Sequence, residues 1–558
     1  MINFNDYKYE RPNYEDIKAK VNDLIDKFIK SASESECLEY FKSIIEIQNE
    51  IEELSDYADI RNMRDGNDDF FLKEMEYWNE EKSKFDLLFK PFYEAVLNHQ
   101  YLESLKKIAP ENFFNTIEYQ LRITSEDITE YQRLENELKS AYRSIIRSKI
   151  KYNGEEINLA SFAKYFNSED AKVREDAHNA YNDFFYNHLT ELDNIISELV
   201  SVRNKIATSC GFNDYSEYSI YKLRRFGYDY HDIKRFREGI IEYFIPINEK
   251  LREVQKKNLG VDELHYYDTI FFKDSINLRY HGEELVKKFI EIFYKIDTEL
   301  GSFFESAVNN NYIDLLARDN KVGFAITNYL SKIGLPAVTT NYRDTYYDVN
   351  VTLHETGHAY QKINSSKLDQ SYVVSSLLKY PTFDICEMFS YGMQLIGLDY
   401  VDSLFDGENY DKYKFSFYKD IITSFPYMAL VDEFQESIYK DNLSGEDIRK
   451  KWLELAHKYD LDISNSGHVN LDSGAYFYRQ SHIFIDPFYY IDYAISYFGA
   501  VAIYSKCLNA LTVFNQAASV ASYYPLKKIL GYYEIPNPFE LKSIQEMSEL
   551  LIKKLNLK

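Results

Sequence analysis

His354, Glu355 and His358 form an H-E-x-x-H motif in the segment 348–360, which reads D-V-N-V-T-L-H-E-T-G-H-A-Y. On a helix, side chains four positions apart lie on one face, so both imidazoles can bind a single zinc ion. Glu355 is rotated by roughly 100° from His354 about the helix axis. Its carboxylate then lies beside the metal, where it can take a proton from bound water. The motif therefore predicts a metal site and a general base on the same helix.

The residues around the motif favour a buried helix. Val349, Val351, Leu353 and Ala359 are apolar, and the segment contains no proline. Because a five-residue pattern can arise by chance, the motif needs this context, and further ligands, to carry a functional interpretation.

A third ligand is expected from a second helix, since catalytic zinc sites commonly have three protein ligands and leave a position for water. The segment 381–397, P-T-F-D-I-C-E-M-F-S-Y-G-M-Q-L-I-G, is the predicted helix, and Glu387 is its candidate ligand. A carboxylate among Ile385, Met388 and Phe389 is costly to bury unless a metal or a hydrogen-bond donor neutralises it. A plain buried ion pair is the alternative, and the metal ligand is preferred.

Other acidic residues are weaker candidates for this site. Asp384 lies three residues before Glu387 and nearly on the same face, where it either binds the outer nitrogen of a ligating imidazole or makes no such contact. Glu433 and Glu436 lie in V-D-E-F-Q-E-S-I-Y-K, a more charged setting, and are not expected to bind the metal.

Hydrogen-bond donors are concentrated in the segment 476–497, Y-F-Y-R-Q-S-H-I-F-I-D-P-F-Y-Y-I-D-Y-A-I-S-Y. His482 and the phenols of Tyr489, Tyr490 and Tyr493 can donate to the oxyanion of a tetrahedral intermediate, as peptide hydrolysis requires. The alternative is that these side chains merely line an aromatic core, which for any single tyrosine is the better interpretation.

The segment 321–342 changes from helical to strand-like composition. Valine, isoleucine, threonine and tyrosine with Gly323, Gly334 and Pro336 predict two short strands in a hairpin-like arrangement. Pro336 has no N–H for a ladder, so its strand is expected at an edge, where an extended peptide can add as a further strand. An ordinary small sheet that caps the core is an equal alternative.

The rest of the chain shows the apolar spacing of amphipathic helices. These predicted helices lie near residues 14–30, 37–54, 73–106, 128–151, 170–207, 232–258 and 282–309. The predicted fold is therefore mainly α. No linker or repeat marks a boundary, and a change near residue 200 predicts an N-terminal helical lobe, 1–200, and a catalytic lobe, 201–558.

The composition is that of an ordered globular chain. Apolar residues make up 45% of the 558 residues, and glycine (19) and proline (11) are scarce, which favours helices. The 52 tyrosines are interpreted mostly as core and groove lining, although a codon bias explains the excess equally well. The formal charge of −25 argues against nucleic acid or an anionic membrane as a partner, since both need basic patches.

Cysteine usage and hydropathy bear on the compartment. The 4 cysteines are scattered, without a C-x-x-C pair, which favours a reducing environment. The first residues contain no apolar stretch typical of a signal peptide, and no run of about 18 apolar residues predicts a membrane span. A cytoplasmic protein is expected.

Four separated segments resemble the oligoendopeptidase F and thimet oligopeptidase family of zinc metallopeptidases. They are G-F-A before the predicted edge strand, D-V-N-V-T-L-H-E-T-G-H-A-Y-Q, P-T-F-D-I-C-E-M-F-S, and R-Q-S-H-I-F-I-D-P-F-Y-Y-I-D-Y-A. The resemblance spans residues 321–497, whereas the first 200 residues are similar only in being helical and of suitable length. It implies a large two-lobed helical metallopeptidase, with a small β-sheet next to the zinc helix and a deep central channel that restricts cleavage to short unstructured peptides.

The resemblance also implies a role for each motif residue. The implied ligands of one Zn²⁺ per chain are His354, His358 and Glu387, and the implied general base is Glu355. The implied oxyanion donors are His482, Tyr490 and Tyr493.

Two positions depart from the branch of the family that this chain most resembles. A histidine is expected where Phe389 stands, and a glutamate is expected where Gln394 stands. These departures leave the ligands intact and change the outer surroundings of the metal.

The predicted function is a zinc-dependent endopeptidase that hydrolyses internal bonds of short oligopeptides, with peptides as its partners. A zinc carboxypeptidase or dipeptidyl carboxypeptidase is one alternative, but it needs a cationic anchor for the terminal carboxylate of the substrate, and no arginine or lysine is placed for that. A non-catalytic helical peptide-binding protein is the other, and the intact Glu355 argues against it.

Overall fold

The computed structural model describes residues 2–268, 271–273, 275–368, 377–461, 463 and 466–557. This part of the chain is mainly α, as the sequence predicts. The helices before the central strands are α1 (Tyr14–Ile29), α2 (Glu34–Arg64), α3 (Asp69–Leu88), α4 (Lys90–Leu97), α5 (Leu102–Ile108), α6 (Glu111–Arg122), α7 (Thr129–Arg147), α8 (Ala163–Phe166), α9 (Ala171–Asn187), α10 (Leu189–Ser209), α11 (Tyr215–Lys222), α12 (Tyr230–Tyr243), α13 (Ile245–Leu259), α14 (Gly282–Ile296) and α15 (Thr298–Asn309).

The helices after the central strands begin with the one that carries the H-E-x-x-H motif. They are α16 (Tyr347–Ser365), α17 (Phe383–Leu398), α18 (Asn409–Lys440), α19 (Glu446–Lys458), α20 (Val469–Asp472), α21 (Ser481–Ile485), α22 (Tyr490–Tyr504), α23 (Ala510–Val520), α24 (Leu526–Tyr532) and α25 (Leu541–Lys554).

Two of the long predicted helices are each divided into two helices, one by a capping residue and the other by a proline. Asp297 ends α14 and caps α15, because its side chain accepts two backbone N–H groups of the first turn. The predicted helix 282–309 is therefore two helices. Pro246 lies in the first turn of α13, where its missing N–H leaves no hydrogen bond unmade, and the predicted helix 232–258 divides there.

Five short strands form two small sheets within the described residues. β1 (Ile150–Tyr152) and β2 (Glu155–Ile157) make an antiparallel hairpin, which the sequence pattern does not predict. β3 (Ile313–Asp314), β4 (Ile326–Leu330) and β5 (Leu335–Thr339) make the second sheet in the order β3-β5-β4. The antiparallel pair β4–β5 confirms the predicted hairpin.

The expectation that Pro336 lies on an edge strand is wrong, because β5 is the middle strand of its sheet. β3 is only two residues long and pairs with Val338 and Thr339. At Pro336, β5 therefore has a neighbouring strand on one side only, which is β4, within the described structure. A residue without an N–H is tolerated next to such an open side. The edge strand next to the motif helix is β4.

The chain forms two compact units, each built from three segments. The first comprises Met1–Leu121, Ile276–Lys414 and Ser496–Asn537, and the second comprises Arg122–Ser275, Phe415–Ile495 and Pro538–Lys558. Residue 200 lies inside α10 in the second unit. The division into lobes 1–200 and 201–558 remains a prediction about domains.

Among the described helices, none is by itself both long enough and apolar enough to cross a bilayer. The pair Tyr490–Tyr504 and Cys507–Val520 passes that test only when its parts are joined, and they are bent by 109° at the break.

Candidate metal centre

The motif helix α16 is fixed at its start by Asp348. The carboxylate accepts the backbone N–H groups of Arg343 at 2.9 Å and Thr345 at 3.2 Å. Negative charge at a helix N-terminus is stabilised by the exposed N–H groups and the helix dipole. The first turn of α16 therefore starts at a defined point, about two turns before the first histidine of the motif.

The second helix, α17, packs closely on α16 because Gly357 has no side chain. A Cβ atom at Gly357 would lie 2.5 Å from the carbonyl oxygen of Phe389 and 2.7 Å from the Cα of Ser390. Ser496 donates a hydrogen bond to the carbonyl oxygen of Asp384 at 2.9 Å, which holds the first turn of α17. This close approach brings Glu387 to the motif.

His354, His358 and Glu387 lie together as the sequence predicts, with one ligand atom from each within 4.8 Å of the others. The Oε2 atom of Glu387 is 3.2 Å from Nε2 of His354 and 3.4 Å from Nε2 of His358. Ser390 donates a further hydrogen bond to the same oxygen at 2.7 Å.

The electrostatics of the group are those of a tightly coupled site. Burial by itself raises the pKa of the Glu387 carboxyl, but the charges of His358 and His354 outweigh burial and hold that pKa well below its usual range. Burial lowers the pKa of His358, and the Glu387 carboxylate reverses this and raises it well above the usual value. Two imidazoles and one carboxylate directed at one point match the His₂Glu ligand set of catalytic zinc sites, so these residues fit a zinc ion.

The outer nitrogens of both histidines have partners that the sequence did not identify. Nδ1 of His354 lies 3.1 Å from Oε1 of Gln394, and Nδ1 of His358 lies 3.6 Å from Sγ of Cys386. Because Oε1 can only accept, Nδ1 of His354 donates to it, and this contact turns Nε2 towards Glu387 and the metal position. These two partners occupy the contact that the sequence offers to Asp384.

The two positions that depart from the family pattern have different surroundings. Gln394 takes part in the site through His354. Phe389 is fully buried and packs edge-on against Phe514, with ring centroids 5.2 Å apart. Phe389 is therefore part of the packing between α17 and α23, and its side chain carries no hydrogen-bonding group.

Glu355 is held by a residue that no motif in the sequence indicates. Thr327, on the edge strand β4, donates a hydrogen bond from Oγ1 to Oε2 of Glu355 at 2.6 Å. Glu355 is 5% exposed. A hydroxyl donor orients the carboxylate without adding a positive charge. The only sequence signal for Thr327 is its place in the strand that precedes the motif.

Glu433 and Glu436 belong to ion pairs of the second unit. Glu433 accepts hydrogen bonds from Lys458 at 2.7 Å and Tyr459 at 2.6 Å, and Glu436 pairs with Arg237. Their carboxylates are thus engaged in ion pairs and hydrogen bonds within the fold.

The second unit contains the predicted donors around His482, on the short helix α21. Arg203 is fully buried and donates to the carbonyl oxygens of Ile483 at 3.0 Å and of Phe484. It also forms an ion pair with Glu135 at 2.8 Å. A buried, paired guanidinium thus fixes the backbone of α21 next to His482.

The three tyrosines lie around the imidazole of His482. The ring centroid of Tyr490 is 4.7 Å from that of His482, that of Tyr489 is 5.9 Å away, and that of Tyr493 is 6.1 Å away. Burial raises the pKa of Tyr490 to about 12, so its hydroxyl stays protonated near neutral pH. By these centroid distances Tyr489 belongs to the same cluster as the predicted Tyr490 and Tyr493.

A strained turn places these tyrosines. Phe488 has a φ of 68°, a left-handed conformation that is unfavourable for a bulky residue. Arg225 donates to the carbonyl oxygen of Phe488 at 2.7 Å and pairs with Asp492 at 2.8 Å, while the N–H of Phe488 donates to Gln435 at 2.9 Å. The surroundings thus stabilise a conformation that the segment would not adopt alone.

The fold and the donor group define a mainly helical protein with an H-E-x-x-H helix and a glutamate on the next helix. Two family models match the chain: "Peptidase M3 N-terminal domain" over residues 4–124 and "Peptidase family M3" over residues 164–519. The second match covers more than half of the chain, which therefore belongs to peptidase family M3. This confirms the resemblance seen in the motifs and extends it to the N-terminal helices.

Solved structures agree over the whole chain. A structure described as an oligoendopeptidase F has 27% identity and a TM-score of 0.87, covering 100% of this chain and 99% of that one. PZ peptidase A, solved with an inhibitor, also has 27% identity and a TM-score of 0.87, covering 99% of each chain. An oligoendopeptidase F structure from Bacillus anthracis strain Ames has 25% identity and a TM-score of 0.83, covering 100% and 99%.

A curated relative is the plasmid-encoded oligoendopeptidase F of Lactococcus lactis subsp. cremoris. It is 22% identical over 304 residues, which are 52% of this chain and 48% of the relative. The chain thus spans about half the length of this relative in the alignment.

Proposed function

We propose that this protein is a zinc-dependent endopeptidase that cleaves short oligopeptides. The observation that carries the proposal is the group of His354, His358 and Glu387, whose ligand atoms lie within 4.8 Å of one another beside Glu355. Membership of peptidase family M3 and the names of the similar oligoendopeptidases support the same reaction class.

Different residues of the first unit are proposed to bind the metal and to transfer protons. His354, His358 and Glu387 would hold the zinc ion. When bound, the ion supplies a Lewis acid for the scissile carbonyl and makes water more acidic. Glu355 accepts the proton of the attacking water and delivers it to the leaving amine. Thr327 keeps Oε2 of Glu355 in place during both transfers.

His482, Tyr490 and Tyr493 are proposed as hydrogen-bond donors to the oxyanion. The support is their clustering within the second unit and the raised pKa of Tyr490, which keeps its hydroxyl available as a donor. Tyr489 lies close enough to share this role.

The edge strand β4 is the proposed place for the substrate backbone. Within the described structure β4 pairs with β5 alone, and its Thr327 touches Glu355. An extended peptide that pairs with β4 would thus lie beside the general base. The proposed compartment is the cytoplasm, from the scattered cysteines without a C-x-x-C pair.

The test is a digest of a mixed peptide library by the purified protein, with metal content measured by elemental analysis. We expect about one zinc per chain, internal cleavage of short peptides, and loss of turnover on addition of a chelator. Glu355→Gln should keep the metal and lower turnover by about 10²–10⁴-fold, whereas Glu387→Ala should release the metal. Glu291→Gln, at an exposed position on α14, is the matched control and should behave as the wild type.

Two outcomes would contradict this proposal. Near-normal turnover by Glu355→Gln excludes Glu355 as the base, and full zinc occupancy in Glu387→Ala excludes Glu387 as a ligand. Peptides blocked at both ends separate an endopeptidase, which cleaves them, from a carboxypeptidase, which does not.

A further inference from the structure

Gln480 lies between His482 and Tyr427 in the second unit. Its Nε2 atom is 2.6 Å from Nδ1 of His482, and the hydroxyl of Tyr427 donates to its Oε1 atom at 3.1 Å. The amide therefore connects a tyrosine of α18 to the imidazole of α21. Gln480 lies in the motif segment R-Q-S-H-I-F-I-D-P-F-Y-Y-I-D-Y-A, which by itself assigns it no role, and Tyr427 lies outside the motif segments.

The chemistry of the amide decides the protonation of the histidine. An amide NH₂ group can only donate, so Nδ1 of His482 must accept. A neutral imidazole that accepts at one nitrogen carries its proton on the other, and His482 is therefore the Nε2–H form. The hydroxyl of Tyr427 supports this orientation of the amide, since burial raises its pKa well above the usual value and the group remains an O–H donor.

The other surroundings of His482 agree with a neutral ring. Burial lowers the pKa of His482, against the opposing effect of Asp486. The rings of Tyr489, Tyr490 and Tyr493 face the imidazole, and Arg479 lies near Tyr490. Protonation would also place an Nδ1–H against the NH₂ group of Gln480, which disfavours the imidazolium further.

We infer that Gln480 is a positioning residue that holds His482 as a neutral imidazole with its proton on Nε2. This rests on the proposed function for its consequence: a neutral His482 donates from Nε2 to the oxyanion without having to gain a proton. Tyr427 is the outer member of the chain, because its hydroxyl donates to the Oε1 atom of Gln480.

The primary test is nuclear magnetic resonance of the full-length protein with ¹³C-labelled histidine rings. The His482 signals are assigned by their loss in His482→Asn. The expected result is the shift pattern of the Nε2–H form at pH 7 to 8. In Gln480→Glu, whose carboxylate accepts a proton from Nδ1, we expect the Nδ1–H form and a raised pKa for His482.

Kinetics supply the second readout. Gln480→Glu should lower kcat by about a hundredfold at pH 8. At acidic pH the kcat of this variant should partly recover, because the charged ring again donates from Nε2. KM should change little. Gln480→Met removes both hydrogen bonds without adding charge and should give a mixture of ring forms with an intermediate kcat. Gln516→Glu adds the same charge at an exposed position of α23 and should leave the His482 signals and kcat unchanged.

The inference is overturned if wild-type His482 is in the Nδ1–H form, or if Gln480→Glu keeps both the wild-type ring form and the wild-type kcat. If Gln480→Glu does not fold, the comparison of wild type with Gln480→Met decides, since an unchanged ring form in that variant also overturns the inference. The resonance experiment needs no peptide turnover, so failure of the proposed peptidase activity is recognised separately.

Discussion

Glu355 illustrates how a single contact prepares a residue for proton transfer. An arginine or lysine partner would favour the charged carboxylate and make it a weaker base. The structure instead places the neutral hydroxyl of Thr327 at Oε2. The carboxylate is thereby oriented, and its other oxygen is left for the proton that it must accept.

Thr327→Val tests this contact at the scale of one residue. Valine has nearly the same shape but no hydroxyl, so we expect kcat to fall by about tenfold because the carboxylate is no longer held in its productive orientation. KM and zinc content should stay near the wild-type values. Steady-state kinetics and elemental analysis measure these quantities.

Thr327→Ser is the matched control, because serine keeps the hydroxyl and loses only a methyl group. It should recover most of the wild-type kcat. A valine variant as active as the wild type, or a serine variant as impaired as the valine variant, would show that the hydroxyl has no part in the reaction.

At the scale of the elements, the metal group depends on the close packing of α16 and α17. Two ligands come from one helix and the third from the other, so the distance between the helices sets the distance between the ligands. Gly357 permits this distance, since any Cβ atom there would meet the backbone of α17. Backbone atoms cannot rotate away as a flexible side chain can.

Gly357→Ala should therefore push α17 away from α16. We expect a loss of about 1–3 kcal/mol in the free energy of unfolding, from overpacking, together with weaker zinc binding because Glu387 moves with its helix. Denaturant unfolding and competition with a chelator measure the two effects.

Gly392→Ala, on α17 itself, is the control for Gly357→Ala. Its Cβ atom would approach only the ring of Phe514, at 3.3 Å. Zinc affinity should remain close to that of the wild type. Equal losses of zinc affinity in the two variants would show that helix spacing at Gly357 does not control the site.

For the whole molecule, a buried lysine links stability to pH. Lys362 is 2% exposed, and among the described residues its Nζ atom has no hydrogen-bond partner. It lies over the rings of Tyr329 and Tyr380, at 5.2 and 4.9 Å from their centroids. Burial lowers the pKa of Lys362 to about 7, so the charged form is disfavoured in the folded chain.

The sign of the effect follows from this lowered pKa. The unfolded chain binds the proton up to the ordinary lysine pKa, whereas the folded chain loses it above about 7. The folded state is therefore destabilised by the buried charge below pH 7, and the effect disappears as the pH rises towards 10.5. Lys362→Met should raise the free energy of unfolding by on the order of 2 kcal/mol at pH 6, and by less at pH 10.

Urea unfolding at pH 6 and pH 10 measures the difference between Lys362→Met and the wild type. Lys287→Met, an exposed lysine on α14, is the control and should change little at either pH. A gain in stability for Lys362→Met that is the same at both values would show that the pKa of Lys362 is not lowered by folding.

The sequence by itself determined the features that depend on local geometry. The spacing of His354 and His358 places both on one helix face, since a helix is set by hydrogen bonds four residues apart. Glu387 is predicted as the third ligand because an isolated carboxylate is unfavourable in an apolar segment. Helical periodicity was equally readable, and the mainly α fold is confirmed.

Only the tertiary structure decided which distant segments meet. Several contacts join residues that share no periodic pattern. They are Thr327 with Glu355, Gln394 and Cys386 with the histidines, and β3 with β5. Such contacts depend on how whole elements pack, and a single missing Cβ at Gly357 sets one of those distances. Local hydrogen bonding can be read from a few neighbouring residues, whereas packing across the chain cannot.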